Sequence, residues 1–133
     1  MTLPTRILIV EDERVLAQNL KKYLGRYADV RTAGDGEEAI QMLDSFAPDA
    51  LVLDFGLPGI NGLQTYVEIV RRLAKNIHCT MITGTPTEQL AHDAHDHGIR
   101  HVVCKPFSFS KLLTLLQEGA CNVDHKANCS DQC

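Results

Sequence analysis

The stretch Leu51–Gly62 reads LVLDFGLPGING. It follows Pro48, which breaks the chain, and Ala50 to Leu53 form an apolar run of strand length. The run shows no alternation between apolar and polar residues, which marks a strand covered on both faces at the centre of a parallel sheet. It ends on a carboxylate, Asp54, and enters a loop, Gly56-Leu57-Pro58-Gly59, rich in turn-forming residues. The tripeptide Asp54-Phe55-Gly56 is also a magnesium-holding signature of protein kinases. A kinase needs a Gly-rich GxGxxG loop and an HRD-type loop as well. Neither occurs in these 133 residues, a length that suits one domain.

The same strand-then-helix pattern repeats along the chain. Ile7-Leu8-Ile9-Val10 is a first strand, followed by a helical pattern with Val15, Leu16, Leu20 and Leu24 on one face and Gly25 as a stop. Asp29 to Thr32 is a weak second strand, and Gly36 to Phe46 a second helix. Gly62 to Ala74 is a third helix with Leu63, Tyr66, Val67, Val70 and Leu73 as its stripe. Cys79 to Thr83 is a fourth strand, and Thr87 to His97 a weaker helix closed by Gly98. His101 to Cys104 is a fifth strand, and Ser108 is the N-cap of a last helix beginning near Lys111. Alternation of this kind predicts a doubly wound α/β sandwich with right-handed crossovers.

Composition limits the functions open to such a domain. The chain is 44% hydrophobic and 23% charged with a net charge of −4, an ordinary globular profile that gives no reason to expect nucleic-acid binding. No apolar run approaches the length of a membrane span, and the N-terminal apolar core is too short for a signal peptide, so a cytoplasmic protein is expected. Five cysteines, two in apolar runs (Cys79 and Cys104) and three near the end (Cys121, Cys129, Cys133), do not resemble a disulfide framework.

Ligand sites in parallel α/β sheets form outside the carboxyl ends of the strands. Those ends are Glu11-Asp12, Asp54, Thr83 and Cys104-Lys105-Pro106. Three carboxylates, a hydroxyl and an ammonium form a coherent set. Clustered carboxylates repel, and a hard divalent cation, Mg2+, relieves the repulsion. Metal, lysine and threonine together neutralise a phosphoryl group, and a carboxylate is a competent phosphoryl acceptor. Read singly, each residue has a plainer role: Glu11-Asp12 as an N-cap pair for the first helix, Thr83 as a strand-end hydroxyl, Lys105 as a solvated lysine.

Taken together, ILIVEDE, LVLDFGLPGING, MITG and VVCKPF, in that order, resemble a response-regulator receiver domain, the chemotaxis-regulator-like phosphoacceptor module of two-component signalling. The resemblance spans about Arg6 to Glu118. It implies a flavodoxin-like (βα)5 sandwich, a parallel five-stranded sheet of order 2-1-3-4-5, over residues 1–120; the polar composition of residues 121–133 suggests a flexible tail. It implies that Asp54 accepts a phosphoryl group from a sensor histidine kinase or phosphotransfer protein. Asp12 then binds Mg2+ directly, Glu11 through water, and Gly56 through its carbonyl. Lys105 and Thr83 contact phosphoryl oxygens, and Pro106 follows a cis peptide. The implied outputs are a protein target or fused output domain, or a homodimer through the fourth helix, fifth strand and last helix; nothing after Glu118 is long enough to be an output domain. Such a domain is not an enzyme on other molecules, though it assists its own phosphotransfer and slow dephosphorylation. A phosphorylation-independent adaptor of the same fold is the alternative. A magnesium phosphohydrolase is disfavoured because Gly56 stands where its second acid would be.

The chain departs from that pattern in places. Val102 stands three residues before the lysine, where receivers usually carry a rotating Tyr or Phe. Gly84 fits the need for space after Thr83. Gly56 and Thr85 occupy the positions that tune hydrolysis in this family, and neither offers a group to orient water. His92, His95, His97 and His101 cluster around the fourth helix. Cys121, His125, Cys129 and Cys133 recur at four-residue steps, and on one helix such a row cannot alone build a tetrahedral zinc site.

Overall fold

The computed structural model describes residues 3–119. The residue 121–133 tail and its Cys/His row lie outside that range. Five strands, β1 (Arg6–Val10), β2 (Asp29–Ala33), β3 (Ala50–Asp54), β4 (His78–Thr83) and β5 (His101–Cys104), alternate with five helices, α1 (Arg14–Leu24), α2 (Gly36–Met42), α3 (Gly62–Leu73), α4 (Glu88–Asp96) and α5 (Phe109–Gly119). The strands pair in parallel in the order β2-β1-β3-β4-β5. The sheet order and alternation are those expected.

Strand β3 is buried at every position, as its unbroken apolar run requires. Alternate residues feed opposite cores. Leu8, Val10, Leu51, Leu53 and Met81 pack with Ala39, Ile69, Leu90 and Ala94, placing α2, α3 and α4 on one face. Ile7, Ile9, Val52 and Ile82 pack with Leu20, Leu24, Leu112 and Leu116, placing α1 and α5 on the other. Each fully buried Leu or Ile stabilises the fold by about 1.5–3 kcal/mol.

Local signals set the helix starts. Asn61 and Gln64 form a reciprocal capping box on α3, Thr87 accepts from Leu90 N–H at α4, and Ser108 accepts from Lys111 N–H at α5.

Several details differ from expectation. Helix α2 stops at Met42 rather than Phe46, because Ser45 and Phe46 N–H both turn back onto the Met42 carbonyl. That tightened turn still buries Leu43 and Phe46. Val15 is 74% exposed and Val67 41% exposed. The buried face of α1 is Ala17, Leu20 and Leu24, and that of α3 is Gly62, Thr65, Tyr66 and Ile69. Both expected stripes included a valine on the flank that the sheet does not cover. Cys79 is a buried free thiol, whereas Cys104 is half-buried and disulfide-bonded.

Candidate functional site

Backbone hydrogen bonds tie the strand ends to one another beyond the last ladder residues. Glu11 N–H donates to Ala33 O (3.0 Å), Phe55 N–H to Ile82 O (2.8 Å) and Lys105 N–H to Thr83 O (2.8 Å). The side chains of Glu11, Asp54, Thr83 and Lys105 are therefore carried by adjacent, rigid strands.

Glu11 and Asp54 are only 3% and 5% exposed, while Asp12 beside them faces solvent. One oxygen from each of the three carboxylates lies within 4.8 Å of the others, the sole such grouping of three or more His, Cys, Asp or Glu among the described residues. Lys105 Nζ reaches Asp54 Oδ2 at 3.2 Å and Glu11 Oε2 at 3.2 Å. It also stands 3.8 Å from Glu13 Oε2. The other Asp54 oxygen, Oδ1, accepts from Gly56 N–H at 3.0 Å. The Asp54 carboxylate is thus held at both ends, by a charged donor and by a backbone donor. Thr83 is buried, its Oγ1 accepting from Thr85 N–H at 3.0 Å. The Lys105–Pro106 peptide is cis, as expected.

The electrostatics follow from this crowding. Burial, with the Asp54 charge adding to it, pushes Glu11 up to about 7 against the hydrogen bond from Glu13 N–H and the pull of Lys105. Burial would lower the Lys105 pKa, yet hydrogen bonds and charge from Asp54 and Glu11 raise it overall. Glu11 Oε1 is buried without a hydrogen-bond partner, although Lys105 Nζ lies 3.2 Å away, outside bonding geometry. An orphaned carboxylate oxygen in an all-oxygen donor set fits a hard divalent cation.

Without metal, folded Glu11 holds its proton up to about 7, against an ordinary 4.5. Folding therefore takes up a proton between those values. The penalty for burying the charge is absent below the ordinary value and fully felt above about 7. Wild type should lose stability relative to Glu11→Gln as pH rises through that window, measured as unfolding midpoints. Mg2+, by favouring the ionised form, should shrink the difference.

All six residues expected at the site, Glu11, Asp12, Asp54, Gly56, Thr83 and Lys105, stand at the carboxyl edge of the sheet or in the loops leaving it. The plain N-cap reading of Glu11-Asp12 is not realised: the α1 N-cap is Glu13, which makes no side-chain cap. Glu11 instead accepts from Glu13 N–H at 3.0 Å. Sequence reasoning missed Glu13 as a neighbour of Lys105, and it missed Gly62. A Cβ on Gly62 would stand 2.5 Å from the Asp54 carbonyl oxygen and 2.8 Å from Phe55 Cα. Only glycine lets the start of α3 close on the end of β3. Its position directly after the N-cap Asn61 was the available signal.

The His-rich helix gathers no metal site among the described residues. His92 pairs with Asp96 at 3.3 Å on the solvent side, and His97 Nδ1 lies 2.8 Å from Asp93 O. His101 is buried on β5 instead.

A strand-end carboxylate, lysine and threonine beside two further acids, on a 2-1-3-4-5 sheet, define a receiver domain. Residues 7–117 match the family model of the response regulator receiver domain, and the chain belongs to that family. It is 32% identical over 117 residues to the transcriptional regulatory protein PdtaR of Mycobacterium tuberculosis, covering 86% of this chain and 56% of that protein. It is 36% identical over 119 residues to the transcriptional regulatory protein TrcR of the same species, covering 86% of this chain and 44% of that protein. The chain thus spans about half the length of these relatives. Its fold is similar to the non-phosphorylated HemR receiver domain of Leptospira biflexa (TM-score 0.80, 27% identity, 91% of this chain and 97% of that one). It is equally similar in fold to the chemotaxis protein CheY4 of Vibrio cholerae (TM-score 0.80, 22% identity, 86% and 97%). No described helix is long and apolar enough to cross a membrane.

Proposed function

We propose that the domain is a phosphorylation switch in which Asp54 takes a phosphoryl group from a phosphohistidine on a sensor kinase or phosphotransfer protein in the cytoplasm. The observation that carries this reading is the buried Asp54 carboxylate bonded to both Lys105 Nζ and Gly56 N–H, within reach of Glu11 and Asp12. An Asp54 oxygen forms the new O–P bond as the donor's N–P bond breaks, and the bonding pair returns to the imidazole. Lys105 shifts its ammonium toward a phosphoryl oxygen, and Thr83 offers its hydroxyl to another. Glu11, Asp12, Asp54 and the Gly56 carbonyl would hold Mg2+, which when bound offsets the negative charge gathered there. The domain acts on no other molecule as an enzyme; it assists its own phosphotransfer. Incubation with a small phosphodonor and Mg2+ tests the reading, with label expected on wild type; unlabelled wild-type protein would count against it and favour the adaptor.

Loss of the phosphoryl group should be slow. Gly56 and Thr85 carry no acid, amide or base to orient water near Asp54. The space beside Gly56 is open, since a Cβ there would meet only Asp54 Oδ1, at 3.9 Å. Gly56→Asn should therefore fit and hasten loss of label several-fold by presenting an amide to the attacking water. Measured decay after donor removal checks both points: loss within seconds from wild type contradicts slow release, and unchanged decay in the variant contradicts the role of position 56.

The added charge, about −1.5 to −2 at pH 7, needs a mechanical readout. Val102 is buried among Leu90, Ala94 and Ile99 and has no ring to rotate. The switch runs through the exposed segment 84–89 that joins Thr83 to α4. It changes the α4–β5–α5 surface, offered to a protein target, a fused output domain or a second copy. Structures with and without a phosphoryl mimic should differ in Thr83–Gln89; an unmoved segment would exclude this route.

A further inference from the structure

Lys105 has a third acidic neighbour that the proposed phosphotransfer does not use. Glu13 Oε2 stands 3.8 Å from Lys105 Nζ, while Glu11 and Asp54 hold the same ammonium at 3.2 Å. The Glu13 side chain is 63% exposed and that of Lys105 18%, so Glu13 approaches the lysine from the solvent side. Local structure sets this placement. Glu13 N–H donates to Glu11 Oε2 at 3.0 Å, and the Glu13 carbonyl accepts from Ala17 N–H at 2.9 Å. The backbone is thereby pinned between the acid cluster and the first turn of α1. Glu13 is the N-cap residue of that helix, yet its side chain makes no cap bond and leans on Lys105 instead. Asp12 is exposed as well, and exposed Arg14 lines the crevice on the β2 side with Thr32 and Glu38. A donor arriving from solvent passes two exposed carboxylates before it reaches buried Asp54.

We propose that Glu13 is a specificity-determining residue that disfavours small, strongly anionic phosphodonors at Asp54. The inference rests on the phosphoacceptor reading above and names which donors that site takes. Glu13 stands outside the group of Glu11, Asp12 and Asp54, so its charge is not committed to a cation there. It repels an incoming anion in proportion to the charge that the anion carries. A protein donor offsets that repulsion through its own contacts with the domain, and a small molecule has none. Rejecting the small donor keeps Asp54 responsive to the protein donor.

The test follows label on Asp54 in the full chain at fixed Mg2+, with two small donors: an acyl phosphate, dianionic at neutral pH, and phosphoramidate, monoanionic. With either, an Asp54 oxygen forms the O–P bond. The P–O pair of the acyl phosphate leaves on a carboxylate, and the P–N pair of phosphoramidate leaves on ammonia. Glu13→Gln removes the charge and keeps both backbone bonds. The variant should fold as wild type does, since an exposed pair of this kind contributes little stability. Its labelling by the acyl phosphate should quicken about three- to tenfold at low salt, and by phosphoramidate only about the square root of that, because repulsion scales with donor charge. Raising the ionic strength from about 0.01 M to about 1 M cuts the screening length from about 30 Å to about 3 Å and should return the variant to the wild-type rate. Glu13→Asp keeps the charge and should stay near wild type. A Glu13→Gln rate equal to wild type, equal gains with both donors, a gain that survives high salt, or Glu13→Asp as fast as Glu13→Gln overturns the proposal and leaves the phosphoacceptor reading standing. Wild type that takes no label from either donor overturns that reading, and the proposal with it.

Discussion

Asp54→Ala should take up no label from a small phosphodonor under conditions where wild type is labelled, a loss limited only by detection. The argument is local. Asp54 is the acid whose two oxygens are both engaged, by Lys105 Nζ and by Gly56 N–H. Glu11 is the other buried acid, and its Oε2 already accepts from Glu13 N–H and Lys105 Nζ. Asp12 is exposed by comparison. Neither neighbour can substitute. The loss cannot be blamed on unfolding. Removing one carboxylate from a crowded cluster relieves repulsion on Glu11, and Lys105 keeps Glu11 as a partner at 3.2 Å. The variant should therefore melt at or above the wild-type temperature. Residual labelling at another acid would refute the assignment of Asp54.

Gly62→Ala should damage both fold and chemistry. The new Cβ would stand 2.5 Å from the Asp54 carbonyl oxygen and 2.8 Å from Phe55 Cα, both backbone atoms that cannot swing aside. The first turn of α3 must then retreat from β3. That retreat strains the Gly62 N–H to Phe55 O bond (2.9 Å) that closes the loop. Overpacking of this kind typically costs about 1–3 kcal/mol. The shift begins at Asp54 itself, so the labelling rate should fall along with the unfolding midpoint. An alanine variant with wild-type stability would show that α3 can move at no cost.

Some of this was legible in the chain and some was not. Continuous apolar runs announced β1, β3 and β4, because a central parallel strand has no polar face to show. The candidate site residues were legible for the same reason: Glu11, Asp54 and Lys105 are the first charged groups after their runs. Facing was harder to read. Val67 adjoins buried Tyr66 and Val15 stands two residues from buried Ala17, and which flank a helix buries depends on how it crosses the sheet. Gly62 and Glu13 escaped notice because their importance lies in distances to β3 and to Lys105, which spacing along the chain does not encode.

The division of the core by the sheet has a further consequence. Helix α4, which follows Thr83, is packed in the same cluster as α2 and α3, while α1 and α5 share the other. The strand ends, laced together by backbone bonds, are the rigid plane between them. On the proposed switch the change at Asp54 would reach α4 first, and α5 lies on the other face of the edge strand β5. Under that reading, substitutions in the α1–α5 core would tune stability, and substitutions beside α4 would tune the response, largely apart from one another.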